Sequence, residues 1–142
     1  MDEQTFQAYF NLVNSGNIVA AAEKYYKPEI YLLDDGHHYD HARILQLIPL
    51  IQSQMKLTYH LVGYYSKTEG NALAAEVDVE LVALVDVDRK PFADAGFPEA
   101  FVPLKKGERV LSHHFYKYTF EGKKFTSSIG YTKNEKASSL YR

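Results

Sequence analysis

The residues in this chain best suited to chemistry are a doubled aspartate, Asp34–Asp35, and six histidines. Asp34 lies at the end of the β-prone run EIYLLDD. A carboxylate that ends a strand and faces an apolar cavity has its charged form desolvated, which raises its pKa toward a value useful for proton abstraction. The plainer reading is that Asp34 and Asp35 only open the turn at Gly36. In TYHLVGYY, His60 alternates with Thr58, Val62 and Tyr64, and a histidine turned into a cavity shuttles protons near neutral pH. A core or surface histidine with no chemistry is the alternative. His113 and His114 are adjacent in RVLSHHFYKYTF and so point to opposite faces of a strand. Aligning the last hairpin on Phe120 and Phe125 puts Ser112, His114, Tyr116 and Tyr118 on one face, opposite Ser127, Ile129 and Tyr131. That register makes His114 the inward residue. A second register, with Leu111, His113 and Phe115 inside, is more apolar and stays open. The cluster HHYDH brings His37, His38, Asp40 and His41 together, residue types that ligate zinc or non-haem iron. An exposed loop whose Asp40 caps the next helix is the better reading, so no metal and no cofactor is expected.

The elements that position these residues follow from hydrophobic periodicity. Phe6, Tyr9, Phe10 and Val13 recur at helical spacing, Asp2 and Glu3 suit the positive end of the helix dipole, and Gly16 suits a C-cap, predicting a helix from about Glu3 to Ser15. Asn17 caps a second helix, IVAAAEKYY, which stops before Pro28. EIYLLDD is a first strand, and Asp40 caps a third helix from His41 to about Met55, with Pro49 predicting a kink or break. From Lys56 the period is two. In ALAAEVDVELVALVDV the apolar set Leu73, Ala75, Val77, Val79 and Leu81 alternates with Glu76, Asp78 and Glu80, so one face is core and the other wet. A connector, DRKPFADAGFPEAFVPLKKGE, separates this strand from the hairpin closed by EGKK. Such long connectors are often lids, and an ordered excursion over a sheet edge is an equal alternative. Phe92, Phe97 and Phe101 are its expected anchors at a pocket mouth or dimer edge.

With 142 residues, no repeat and no linker, residues 1–142 read as one domain. A formal net charge of -2 implies neither nucleic acid nor an anionic membrane as partner. Lys105, Lys106 and Arg109 are too few to track a phosphate backbone, and no glycine-rich phosphate loop or nucleophile elbow is present. The absence of cysteine excludes disulfides and thiolate chemistry and fits a reducing, cytoplasmic setting. No signal peptide or membrane span is expected. Twelve tyrosines and eight phenylalanines suit walls that are apolar yet carry a few hydroxyls.

The order helix, helix, strand, helix, then an antiparallel meander ending in a hairpin resembles the nuclear transport factor two-like superfamily. Within it, the chain resembles the SnoaL-like cyclases, ketosteroid isomerase and scytalone dehydratase. QAYFNLVNSGNIVAAAEKYY is similar to the first two helices of these proteins, and FEGKKFTSSIGY to their closing hairpin. The resemblance implies an α+β cone, a curved antiparallel sheet wrapped by three N-terminal helices in the manner of a cystatin-like α+β barrel. It implies a homodimer and a pocket for a small apolar molecule. By the ketosteroid isomerase pattern Tyr9 and Asp34 match an oxyanion donor and a general base, and Tyr116 stands where that enzyme has a protonated aspartate. By the scytalone dehydratase pattern His60 matches a catalytic histidine, whereas the second falls near Leu84 or Val85, where this chain has none. The implied catalytic set is therefore Asp34, His60, Tyr9, Tyr116 and His114. Tyr26, Tyr64, Tyr118, Tyr131, Phe97 and Phe101 are the expected substrate-binding walls. The implied activity is a cofactor-independent isomerase, cyclase or lyase of secondary metabolism, acting on a polyketide-like or terpenoid-like carbonyl compound. A non-catalytic ligand-binding or dimerisation module of the same fold is the alternative.

Overall fold

The computed structural model describes residues 1–66, 70–97 and 104–132. Three helices come first, interrupted by two strands: α1 (Glu3–Asn14), α2 (Ile18–Tyr25), β1 (Tyr26–Asp34), β2 (His37–Tyr39) and α3 (His41–Gln54). Each helix begins at the residue whose side chain satisfies its first free amides: Asp2 accepts from Thr5 N at 2.8 Å, Asn17 from Ala20 N at 3.2 Å, and Asp40 from Arg43 N at 2.8 Å. The rest is β3 (Met55–Ser66), β4 (Ala72–Ala83), a short helix α4 (Lys90–Asp94), β5 (Arg109–Glu121) and β6 (Lys124–Thr132). Among the described residues, no helix is long and apolar enough to cross a membrane.

The strands form one curved, unclosed sheet in the order β2-β1-β6-β5-β4-β3. It is not wholly antiparallel: β1 runs parallel to β6, with Leu32 opposite Ser128 and Asp34 opposite Gly130. Residues of the first and last strands thereby meet side by side. β1 starts earlier than EIYLLDD, and its register with β6 slips between Tyr26 and Tyr31, an irregular stretch that accommodates Pro28, which has no amide to give a ladder. HHY is a strand rather than a loop, paired with the end of β1. α3 runs through Pro49 without a break, with the ring on the exposed side and Leu47, Ile48 and Ile51 buried around it.

Two β-bulges decide which side chains face inward. Leu61 pairs with Val77 but Gly63 with Glu76, so Val62 is an extra residue in β3. Before it the inward set is Leu57, Tyr59 and Leu61; after it Tyr64 turns inward. Phe120 pairs with Phe125 but Thr119 with Ser127, so Thr126 is extra in β6. The narrow end of the cone is plugged by aromatic rings. Phe6 and Phe125 are fully buried, with Phe6 4.8 Å from Phe10 and 5.0 Å from Tyr118 between ring centroids.

Candidate active site

Between the helices and the concave face of the sheet lies a cavity of about 430 Å³. Its walls are apolar side chains such as Val13, Leu47, Ile51 and Leu81, interrupted by the phenols of Tyr9, Tyr26, Tyr59, Tyr116 and Tyr118. Burial holds those phenols protonated: Tyr26 is pushed up to about 12, and Tyr9, Tyr59, Tyr116 and Tyr118 also rise, desolvation being the main cause in each. At the inner end the Tyr9 and Tyr26 hydroxyls share a hydrogen bond of 2.6 Å. One hydroxyl donates to the other, and the second O–H is left to donate elsewhere.

Asp34 stands at the mouth. Solvent reaches it through the opening, but protein surrounds it on its other sides, and this withdrawal from bulk water pushes its pKa up to about 6, with repulsion from Asp35 adding and His37 opposing. Its charge raises the Tyr59, Tyr116 and Tyr118 phenols further, so carboxylate and phenols share one field. Asp35 adopts the left-handed conformation, φ 46°, that turns the chain after β1. Its carboxylate accepts from the Thr132 amide at 2.7 Å and from the Thr132 hydroxyl.

His114 is the inward member of the histidine pair. It is buried, its Nε2 is 2.7 Å from Ser112 Oγ, and its ring stacks on Tyr116 at 5.6 Å. Nδ1 has no hydrogen-bond partner among the described residues. Desolvation lowers its pKa, with Asp35 opposing and His113 reinforcing, so the ring is neutral at pH 7. A ring nitrogen of His114 and one oxygen each of Asp34 and Asp35 lie within 4.8 Å of one another. His113 points outward and pairs with Asp78 at 2.5 Å.

Tyr116 reaches the cavity because its partner across the ladder is Gly130, where a methyl group would overlap the Tyr116 ring. The backbone at Gly130 is unexceptional, so the glycine is there for space. Arg43 on α3 secures the connector: Nη1 donates to Ala95 O at 2.8 Å, Nη2 to Gly96 O at 3.1 Å, and the guanidinium lies 3.9 Å over the Phe97 ring. Gln54 fixes its start, giving Nε2 to Asp88 O at 2.9 Å and accepting from Asp88 N at 2.7 Å. Phe92 and Phe97 are buried, Phe97 at the cavity wall, so the described ends of the connector form an ordered cover.

Of the residues expected from sequence, Asp34, Tyr9, Tyr116, His114, Tyr26, Tyr118 and Phe97 line this cavity. His60 does not. It lies on the outer face, its side chain 51% exposed and its Nε2 3.4 Å from Glu80, because the inward phase of β3 before the bulge belongs to Tyr59. Tyr131 is likewise outside and 53% exposed, since the extra residue Thr126 shifts Ser128, Gly130 and Thr132 to the inner face. Tyr64 points inward but donates to the Met1 carbonyl and packs on Phe6 at 5.9 Å, away from the cavity. Phe101 lies outside the described residues. Tyr59 was missed, although the alternation Leu57, Tyr59, Leu61 was its signal. HHYDH gathers no ligand set: Asp40 is spent on the α3 cap and His38 stacks on Tyr31 at 4.6 Å.

No protein-family model and no curated protein matches the chain in sequence. Solved structures do match its shape. A candidate polyketide cyclase from Xanthomonas campestris pv. campestris aligns with TM-score 0.75 at 14% identity, covering 98% of this chain and 95% of that one. Another from Pseudomonas putida aligns with TM-score 0.70 at 15% identity, over 94% and 92%. An LEH-like epoxide hydrolase from M. tuberculosis aligns with TM-score 0.69 at 10% identity, over 97% and 82%. The chain therefore shares the fold of these proteins, an α+β arrangement in which N-terminal helices precede a curved, unclosed six-stranded sheet.

Proposed function

We propose that the chain is a cofactor-independent isomerase, cyclase or lyase that moves a proton next to the carbonyl of a small, largely apolar polyketide-like or terpenoid-like compound. The observation that carries this reading is Asp34, a carboxylate held near a pKa of 6 at the mouth of an apolar cavity whose phenols stay protonated. A base is most useful when its pKa lies near the working pH. Asp34 takes the proton from the carbon beside the carbonyl, and the electron pair moves onto the carbonyl oxygen. Tyr59 and Tyr116, the phenols that feel the Asp34 charge most directly, donate to that oxyanion, and Tyr9 or Tyr26 does so for a carbonyl bound at the inner end. The enolate then collapses by reprotonation elsewhere, by attack on a second carbonyl, or by loss of a leaving group. The named polyketide cyclases among the structural relatives support the second outcome.

The test is solvent deuterium exchange at the carbon beside the carbonyl of a bound bicyclic ketone, followed by NMR. Asp34→Asn is expected to lower the rate by about 10²–10⁴-fold, and His60→Gln to leave it unchanged. Exchange that survives in Asp34→Asn within a few-fold overturns the mechanism. Ligand-dependent thermal stabilisation with no exchange would replace it with the binding-module reading.

We also propose a cytoplasmic homodimer formed through the outer sheet face. Phe115 and Tyr131, paired across β5 and β6, are 39% and 53% exposed, and Tyr31 on β1 is 44% exposed. Light scattering that reports a monomer at micromolar concentration removes the dimer.

A further inference from the structure

We infer that the cavity mouth binds a divalent cation of the manganese or zinc class through Asp34, Asp35 and the imidazole of His114. Spacing along the chain offers no sign of it, because the closely spaced ligand types there belong to HHYDH. The new set is assembled by the strand order β1-β6-β5, which brings residues 34 and 35 to the same end of the sheet as residue 114.

The first argument is geometric. Three donor atoms within 4.8 Å of one another enclose a point no more than about 2.8 Å from each. Metal–ligand lengths for imidazole and carboxylate are about 2.0–2.2 Å, so small rotations of the carboxylates close the gap. The second argument is independent of the acidic pair. His114 is 9% exposed, and its Nδ1 has no hydrogen-bond partner among the described residues. An imidazole nitrogen buried without a partner is costly unless a ligand takes it. The other ring nitrogen is engaged by Ser112 and the ring is stacked on Tyr116, which is how a metal-ligating histidine is usually held in orientation. Asp35 is likewise fixed through Thr132. One neutral nitrogen with two carboxylates suits Mn²⁺, Fe²⁺ or Zn²⁺ better than an all-oxygen ion such as Mg²⁺. Three protein ligands leave positions open, and the open side is the cavity.

This inference goes beyond the proposed function and stands whether or not turnover is found. Chelator-stripped protein is titrated with Mn²⁺ alone, free ion being read by electron paramagnetic resonance and folding by circular dichroism, with Zn²⁺ as competitor. One saturable Mn²⁺ per chain is expected. Asp35→Asn, in which asparagine tolerates the left-handed turn, and His114→Gln should each weaken it by at least about tenfold. His38→Asn should not. No saturable binding of either ion below about 1 mM, unchanged affinity in His114→Gln, or loss in His38→Asn overturns the proposal. The deuterium-exchange assay is run with chelator present. Failure to bind metal therefore leaves the proton-transfer reading intact, and failure to exchange leaves the metal site intact.

Discussion

Replacing Gly130 by alanine tests whether Tyr116 owes its place to a missing side chain. The added methyl would overlap the aromatic ring, and Tyr116 is only 8% exposed, so the ring has little room to retreat. Forcing an extra carbon into a packed wall costs about 1–3 kcal/mol. Alanine in a strand regains roughly 0.5–1 kcal/mol over glycine through the unfolded chain. A net loss of about 1–2 kcal/mol is expected, which for a domain of this size lowers Tm by roughly 3–8 °C. The ring must swing from the Asp34 field, so proton exchange should fall by about 10²–10³, as for any lost oxyanion donor. The decisive measurement is a double-mutant cycle by urea unfolding. In a Tyr116→Ala background there is no ring to strike, and Gly130→Ala should be neutral or stabilising, giving a coupling of about 1–3 kcal/mol. Equal effects of Gly130→Ala in both backgrounds would refute the reasoning, as would no effect in either.

Four further outcomes are expected. With chelator present, the exchange rate should rise about tenfold per pH unit below pH 6 and level off above it, since only the ionised Asp34 is a base. Its folded pKa of about 6 lies above the ordinary 3.8, so its protonated form favours the fold. That contribution is complete below the ordinary value and is lost as pH rises through about 6, so the stability of Asp34→Asn relative to the native chain should grow between about pH 4 and pH 6 and level off above that, measured by urea midpoints at each pH. Phe6→Ala, at a fully buried ring packed on Phe10 and Tyr118, should cost about 3–5 kcal/mol with an unchanged denaturant slope. Arg43→Ala should speed amide exchange at Gly96 and Phe97 by about tenfold while global stability changes little, because it frees the connector and leaves the core untouched.

Periodicity made the helices and the inward face of β4 legible, and it narrowed the inward histidine of β5 to one of two registers, of which the structure takes the one with His114 inside. In each case the signal is local: a cap residue at the right offset, or strict alternation along an unbroken ladder. What it could not carry is a change of phase. A single extra residue at Val62 separates His60 from Tyr64, and another at Thr126 exchanges Tyr131 for Gly130, and nothing in either residue type announces a bulge. The parallel pairing of β1 with β6 was hidden for a different reason, because it joins segments about a hundred residues apart. Asp34 could be named as a candidate base from its place at a strand end, with Tyr9, Tyr116 and His114 beside it, but two features of the site could not. Tyr59 was masked by the more conspicuous histidine beside it, and the meeting of Asp35 with His114 depends on strand order alone.

That parallel pairing also sets the order in which the protein can be assembled. Asp35 holds Thr132 across 97 positions of chain, and Asp34 lies opposite Gly130. The meander β3–β4–β5 is built from neighbours in sequence and can zip locally, whereas the mouth of the cavity waits for the closure of one very long loop. During synthesis, a ribosome-bound chain that has not yet released β6 has its hydrophobic bowl but no rim. The acidic pair then lies apart from His114, and the surface that will become the cavity wall is open along β1 and β5. The mouth of the cavity is thus the last part to form, and a chain cut short before β6 would lack not merely a strand but the apposition of Asp34 with Gly130 and of Asp35 with Thr132.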